Sequence, residues 1–150
     1  MSIRTTRVLL IRNLLRVADR RHLARVLDRV AAPDLDLMFA ECSAHELRRG
    51  ASVLFDSSRL QTSLTEHSDF GLRQLLQHAT PDDARRALGV LSPKRAAELL
   101  LGIVRPEREV HLRHLDEATY AQIIKALPRR ARPSKARTLR SVFRLSRLFA

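Results

Sequence analysis

Three titratable side chains at one helical spacing are the first candidates for chemistry in this sequence. Glu107, His111 and His114 lie at i, i+4 and i+7, so a helix would project them toward one side. A carboxylate with two imidazoles at that spacing is a ligand set for a divalent transition metal. However, His111 falls at a position that is apolar in the neighbouring segments, which equally indicates a buried structural histidine. We therefore expect no metal or other cofactor.

A second candidate is a cysteine with a histidine one helical turn away. Cys42 and His45 could contact each other as nucleophile and base, with Glu46 beside them. No third orienting group and no oxyanion hole is indicated, and a small buried cysteine explains the residue as well. The sequence also has no Gly-rich phosphate loop, no Cys-x-x-Cys pair and no serine elbow. We therefore expect a non-enzymatic protein without catalytic residues.

The elements that would hold these residues repeat every twelve positions from Asp56 to Leu127. Position zero is occupied by Asp56, Ser68, Thr80, Ser92, Val104 and Asp116. Position eight is occupied by Leu64, Leu76, Leu88, Leu100, Leu112 and Ile124, and position eleven by His67, Ala79, Leu91, Ile103, Leu115 and Leu127. Most of the opening residues can cap a helix start, and Pro81 and Pro93 fit the first helical position. Each unit is therefore predicted to be a short amphipathic helix.

Four further helix starts precede the repeat. They are predicted at Thr5 or Thr6, at Asp19, at Pro33 with Asp34, and at Ser43. The third of these helices is expected to bury Leu35, Leu37, Met38 and Phe39. Together with the six units of the repeat they make a stack of about ten helices.

Helices of this length require neighbours. A helix of about ten residues is only ~15 Å long and is marginal alone in water. A fixed period of such units indicates a stacked array, in which each helix packs on the one before and the one after. We therefore predict an all-α superhelix, with an irregular helical bundle as the alternative.

Two segments carry a resemblance to a known family. Thr80-Pro81-Asp82-Asp83-Ala84, followed by Ala87-Leu88, and the stretch from Leu91 to Leu100 resemble the cytosolic N-terminal domain of MgtE-type magnesium transporters. The resemblance covers roughly residues 20–128. It implies a right-handed superhelix of short helices, an armadillo-like solenoid related in shape to flagellar motor switch proteins.

The same resemblance implies a response to magnesium through acidic surface residues. The candidate acidic pairs are Asp82 with Asp83, Glu107 with Glu109, and Asp116 with Glu117. Each pair also falls in the first turn of a predicted helix, where negative charge offsets the helix dipole. A magnesium-responsive regulatory module is therefore one alternative for the function.

Positive charge is concentrated at the two ends of the chain. The net charge of +12 divides into +6 for residues 1–31, −2 for residues 32–128 and +8 for residues 129–150. We predict a helical repeat domain at 1–128, followed at 129–150 by a basic linker and an amphipathic helix. Arg137, Arg140, Arg144 and Arg147 would form one side of that helix, with Phe143 and Phe149 on the other.

These patterns predict a scaffold or adaptor that binds another protein. The basic C-terminal helix would contact an acidic partner, and its six named residues are the expected binding site. Nucleic acid, an anionic membrane surface and a second copy of the chain stay open as other partners, as does simple solvation of the charge. A single cysteine and the lack of a membrane-spanning apolar run favour the cytoplasm, either free or at a membrane surface.

Overall fold

The computed structural model describes residues 3–133, and within that range the chain is helical and contains no strand. The ten helices of the described part are α1 (Ile3–Val17), α2 (Arg20–Asp28), α3 (Ala32–Phe39), α4 (Ala44–Leu54), α5 (Leu60–Glu66), α6 (Asp69–His78), α7 (Pro81–Val90), α8 (Pro93–Leu101), α9 (Arg105–Arg113) and α10 (Glu117–Ala126). A short 3-10 helix follows at Arg129–Ala131. The predicted all-α class is confirmed for these residues, whereas the superhelix stays a prediction.

The twelve-residue period reflects repeated capping of helix starts. The side chains of Ser68, Thr80 and Ser92 each accept a hydrogen bond from the backbone N–H three residues later. Ser43 adds a capping box with Glu46, because each residue bonds the backbone of the other. Asp19 caps α2 in the same way as the serines. The sequence therefore predicts these starts correctly.

The starts predicted at Thr5 or Thr6 and at Asp56 are wrong. Helix α1 already begins at Ile3. The Asp56 carboxylate accepts hydrogen bonds from the backbone and hydroxyl of Ser58 and from Arg20, so it stabilises a turn. The helix begins four residues later, at Leu60.

The predicted face of α3 is also wrong at one position. Leu37 is 73% exposed, whereas its neighbour Asp36 is only 6% exposed. The buried face of this short helix runs through Ala32, Leu35, Asp36 and Phe39, which follows i, i+3, i+4 and i+7 spacing. Because four of the five residues from Leu35 to Phe39 are apolar, the sequence does not show which of them face the core. The polar residue Asp36 takes the buried position, and Leu37 is exposed.

Helices pack mainly on the second or third helix along the chain. Contacts join α2 to α4, α3 to α5, α4 to α6, α5 to α7, α6 to α8, α7 to α9 and α8 to α10, and also α1 to α4, α3 to α6 and α6 to α9. Among sequential neighbours in the described part, only α1 and α2 make a comparable contact. The expectation that each helix packs chiefly on its immediate neighbours is therefore wrong. Two extended residues, as at Ala79 and Thr80, redirect the chain between helices.

One hydrophobic cluster runs through the described helices. At position eight of the repeat, Leu64, Leu76, Leu88, Leu100 and Leu112 are all buried, and Ile124 is half-buried. Position seven is buried throughout, including two polar residues, Ser63 and His111. The cluster extends to Ala131 in the 3-10 helix, within the stretch that the sequence assigns to a linker.

Side chains of arginine and histidine bind the C-terminal ends of helices that lie three helices earlier in the chain. The guanidinium of Arg49 in α4 donates to the carbonyls of Leu15 and Ala18 at the end of α1. Three further side chains likewise bind a carbonyl near the end of the third helix before their own. They are Arg86 with the Phe55 carbonyl at 3.2 Å, Arg95 with the Leu64 carbonyl at 2.9 Å, and His111 with the Leu76 carbonyl at 2.7 Å. Donors at these positions satisfy free carbonyls and offset the negative end of the helix dipole.

Candidate functional site

Helices α1 and α2 carry several exposed arginines without a partner among the described residues. We call this surface the N-terminal basic face and define it by the five exposed arginines of α1, α2 and the residue directly after α2 that form neither an ion pair nor a side-chain hydrogen bond with any described residue. They are Arg4, Arg7, Arg21, Arg25 and Arg29. The nearest acids in the sequence are engaged elsewhere, since Asp19 caps α2 and Asp28 binds Arg59.

Exposed apolar side chains share α1 with these charges. Leu9, Leu10 and Val17 are 47%, 58% and 73% exposed, and Leu10 and Val17 lie on one side of the helix at i and i+7. Contiguous exposed apolar side chains rimmed by polar ones mark binding surfaces, and Leu10 with Val17 are the candidates for such a patch on α1.

Other arginines of this region fix α1 and α2 to the rest of the protein. Arg12 binds the buried Glu46 through two atoms, at 3.0 and 3.2 Å. Burial acts to raise the pKa of Glu46, but the hydrogen bonds from Arg12 and Ser43 outweigh it, and the pKa is lowered. Arg20 reaches Ser52 and Asp56 on the next layer of helices. The arginines of the basic face are therefore carried on firmly attached helices.

The predicted metal-binding group is not assembled. His111 is buried with its Nε2 atom 2.7 Å from the Leu76 carbonyl, whereas the exposed His114 bonds the Val110 carbonyl of its own helix. Burial lowers the pKa of His111 and favours the neutral ring. Nowhere in residues 3–133 do three or more His, Cys, Asp or Glu side chains come together as a metal-binding group.

Cys42 is not set up as a nucleophile. Burial, with Glu46 adding to the effect, raises the pKa of the Cys42 thiol to about 12. Its Sγ atom lies 3.5 Å from the Met38 carbonyl, and His45 is exposed. The Glu46 carboxylate is occupied by Arg12 and Ser43. A protonated thiol without a base is a structural group.

Most of the acidic pairs are neutralised within their own helices. Asp83 binds Arg86, and Asp82 lies 3.9 Å from Arg85. Glu109 lies 3.1 Å from Arg105 and 3.9 Å from Arg113. Asp116 and Glu117 are exposed at the start of α10. Asp82, Asp83 and Glu109 therefore have cationic partners in their own helices, whereas Glu107, Asp116 and Glu117 form no ion pair with a described residue.

The six residues predicted as the partner-binding site lie outside the described part of the chain. They are Arg137, Arg140, Arg144, Arg147, Phe143 and Phe149. Their role therefore stays a prediction. None of the helices described here has the length and apolarity that a bilayer crossing requires.

Sequence reasoning missed a buried pair that joins α3 to the link between α5 and α6. The Nδ1 atom of His67 lies 2.7 Å from Oδ1 of Asp36, and the Ser68 backbone N–H donates to Oδ2 at 2.8 Å. The available signal was His67 itself, a polar residue at position eleven, where four of the six units have leucine or isoleucine. A polar side chain at a buried position requires a partner.

Comparisons with protein-family models, with curated proteins and with solved structures find no match to this chain.

Proposed function

We propose that this protein is a non-enzymatic interaction scaffold whose N-terminal basic face binds an acidic, amphipathic segment of another protein. The observation that carries the proposal is the combination on α1 and α2 of five unpaired arginines with three exposed apolar side chains. Guanidinium groups bind carboxylates through two parallel hydrogen bonds, and apolar contacts beside them add affinity. A partner with alternating acidic and apolar residues matches both features.

The rest of the chain serves this surface as a rigid support. Contacts that skip to the second and third helix are compatible with the right-handed superhelix of the MgtE N-terminal type, and we propose that arrangement here. The arginine-rich segment at 134–149 is then a second contact for an acidic partner at the other end of the chain. The cytoplasm, free or at a membrane surface, is the proposed location.

Affinity capture with charge variants tests the proposal. The test variant combines Arg7→Gln, Arg21→Gln and Arg25→Gln. The control combines Lys94→Gln, Arg129→Gln and Arg130→Gln, which removes the same charge from exposed residues without ion pairs in the described part. We expect the wild type and the control to retain the same acidic partner and the test variant to lose it. Equal retention by both variants, or no specific partner with the wild type, would refute the proposal.

Nucleic acid is the second candidate because the same unpaired arginines could neutralise phosphates. Among the described Phe and Tyr residues, Phe39 and Phe55 are buried, Phe70 lies on α6 and Tyr120 on α10, so none of them provides a stacking platform on α1 or α2. Fluorescence anisotropy with duplex DNA and single-stranded RNA from 20 to 200 mM salt separates the two functions. A steep salt dependence that disappears in the test variant would favour nucleic acid, and lack of binding at 20 mM salt would exclude it.

Magnesium sensing and membrane binding are tested with the same proteins. Calorimetry with millimolar Mg²⁺ tests the acidic pairs directly, and lack of heat in that range would exclude magnesium sensing. Sedimentation with vesicles of phosphatidylcholine, with and without phosphatidylserine, would detect an anionic membrane surface as the partner.

A further inference from the structure

The last helix of the described part, α10, is less completely covered than the helices before it. Earlier helices pack on the second or third helix further along the chain, whereas α10 makes its main contact with α8 behind it. Only Ile123 of α10 is buried, while α4 buries six residues and α8 buries four. At position eight of the repeat, five leucines are buried and Ile124 is only half-buried. Among residues 3–133, no element covers α10 in the way that later helices cover earlier ones.

One side of α10 combines apolar side chains with a carboxylate. Glu117, Tyr120, Ala121 and Ile124 lie at i, i+3, i+4 and i+7, so they form one stripe along the helix. We call these four residues the α10 flank. Tyr120 and Ile124 are half-buried at the edge of the hydrophobic cluster. Glu117 and the preceding Asp116 are exposed and form no ion pair with a described residue.

The chain continues directly from this end of the protein. Leu127 and Ala131 are buried, and the Arg132 Nε atom donates to the Leu127 carbonyl at 3.1 Å, so the residues after α10 are held on the core. Residues 134–150 follow. The helix that the sequence predicts at 134–149 would be about 24 Å long, whereas the ten residues of α10 span about 15 Å. The segment is therefore long enough to run along the whole α10 flank.

The two sides of this predicted helix match the α10 flank in character. Its apolar side consists of Leu139, Val142, Phe143, Ser146 and Phe149 and would cover the apolar residues of the flank. Arg140 and Arg147 lie one turn on either side of Phe143, and long arginine side chains extend from the edge of an apolar contact toward a carboxylate such as Glu117. Residues 134–150 contain five basic residues and no acidic one. Their charge favours the α10 flank over the N-terminal basic face.

We propose that residues 134–149 dock on the α10 flank of their own chain and close the series of helices as a terminal cap. The tether is short, so the segment meets its own flank at an effective concentration of about millimolar, which favours it over a second copy in dilute solution. Terminal units of stacked helical proteins need a cap because no following unit covers their apolar face. Arg137 and Arg144 lie on the opposite side of the segment and stay available to an acidic partner. The docking itself does not depend on the proposed function.

The first experiment uses Tyr120 as the reporter, because the chain has one tyrosine and no tryptophan. Acrylamide quenching of tyrosine fluorescence in the full chain measures how accessible this ring is. The test variant combines Phe143→Ser with Phe149→Ser, and the control combines Arg137→Gln with Arg144→Gln. We expect stronger quenching in the test variant than in the wild type, and wild-type quenching in the control. Equal quenching of all three proteins, or a larger effect in the control, would refute the proposal.

A second experiment locates the segment and distinguishes docking within one chain from docking between copies. A nitroxide label is attached at Ser141→Cys in a Cys42→Ala background, and the amide signals of the described helices are recorded by NMR. We expect broadening at Ala121 and Ile124 and none at Arg21 on α2.

The same label decides between one chain and two when labelled ¹⁴N chains are mixed with unlabelled ¹⁵N chains. We expect no broadening of the ¹⁵N signals in this mixture. Broadening in the mixture would show docking between copies. Broadening confined to α1 and α2, or no broadening in the labelled chain, would show that the segment does not lie on the α10 flank. Each of these three results would overturn the proposal.

Discussion

Asp36 and His67 stand 31 residues apart in the chain, yet their side chains meet at 2.7 Å and join α3 to the link between α5 and α6. Both residues are only 6% exposed. A buried carboxylate with two donors around it is stable only while both donors remain, because each unpaired polar group would carry its full desolvation cost. This pair therefore ties together two parts of the chain that the helical repeat alone would not bring into contact.

Replacing Asp36 by asparagine should destabilise the fold. The NH₂ group of the asparagine would face either His67 Nδ1 or the Ser68 N–H, so one hydrogen bond would be lost. We expect the free energy of unfolding to fall by about 2–3 kcal/mol. Urea unfolding followed by circular dichroism measures the change. Asp34→Asn, on the exposed side of the same helix, is the control and should change little. Equal effects of the two substitutions would show that the buried pair contributes nothing particular.

Glycine-to-alanine substitutions at two positions should have opposite effects. At Gly71 the new Cβ atom would overlap the Asp36 carboxylate, whereas at Gly89 nothing lies within 4 Å of it. We expect Gly71→Ala to lower the melting temperature and to disturb the His67 resonances. Gly89→Ala should raise stability by about 0.5–1 kcal/mol through helix propensity. Differential scanning calorimetry compares them, and a neutral Gly71→Ala would contradict the close packing around Asp36.

His111 should make the protein less stable in mild acid. Burial, with a smaller contribution from nearby His114, lowers the pKa of His111 below its ordinary 6.5. The unfolded chain therefore takes up a proton at higher pH than the folded state does. Stability is complete above about pH 6.5 and is lost as the pH falls toward the folded pKa.

Urea unfolding at pH 7.5, 6.5, 5.5 and 5.0 measures this loss for the wild type and for two variants. In His111→Leu the titrating group is gone, so the free energy of unfolding should depend less steeply on pH. His114→Gln changes an exposed histidine and should retain the wild-type slope. A His111→Leu slope identical to that of the wild type would contradict the assignment.

Cys42 should be unreactive in the folded protein. With a thiol pKa of about 12, the thiolate fraction at pH 8 is only about 10⁻⁴. We expect slow reaction with Ellman's reagent in buffer and fast reaction in 6 M guanidinium chloride. Native reaction at the rate of a free thiol such as glutathione would show that Cys42 is accessible and ionised.

The local patterns of the sequence predicted the helices well because capping and amphipathic spacing are short-range properties. Ser68, Thr80 and Ser92 show their helix starts directly in the sequence, and the leucines of position eight show which face is buried. Local patterns do not specify which helix covers that face. The packing of each helix on the second or third along the chain therefore could not be derived from them.

The buried polar pair was missed for a related reason. His67 was visible as a polar residue in an apolar position, but its partner lies in a helix where several registers were equally apolar. Leu37 was assigned to the core because it belongs to the run from Leu35 to Phe39, although Asp36 takes the inward place. Which residues of α3 face the core is decided by its packing against the start of α6, where Asp36 contacts Ser68 and Gly71.

The side chains that bind helix ends three helices earlier also constrain how such a chain could lengthen. Arg49, Arg86, Arg95 and His111 each belong to a helix whose contact is the third one back. Adding one helix between two such partner helices would separate the side-chain donor from its carbonyl and leave that carbonyl without a hydrogen bond. Duplication of a block of three helices would keep every pair in phase. A block of three helices, about 36 residues, is thus the insertion that preserves these four contacts, although the visible period of the sequence is twelve.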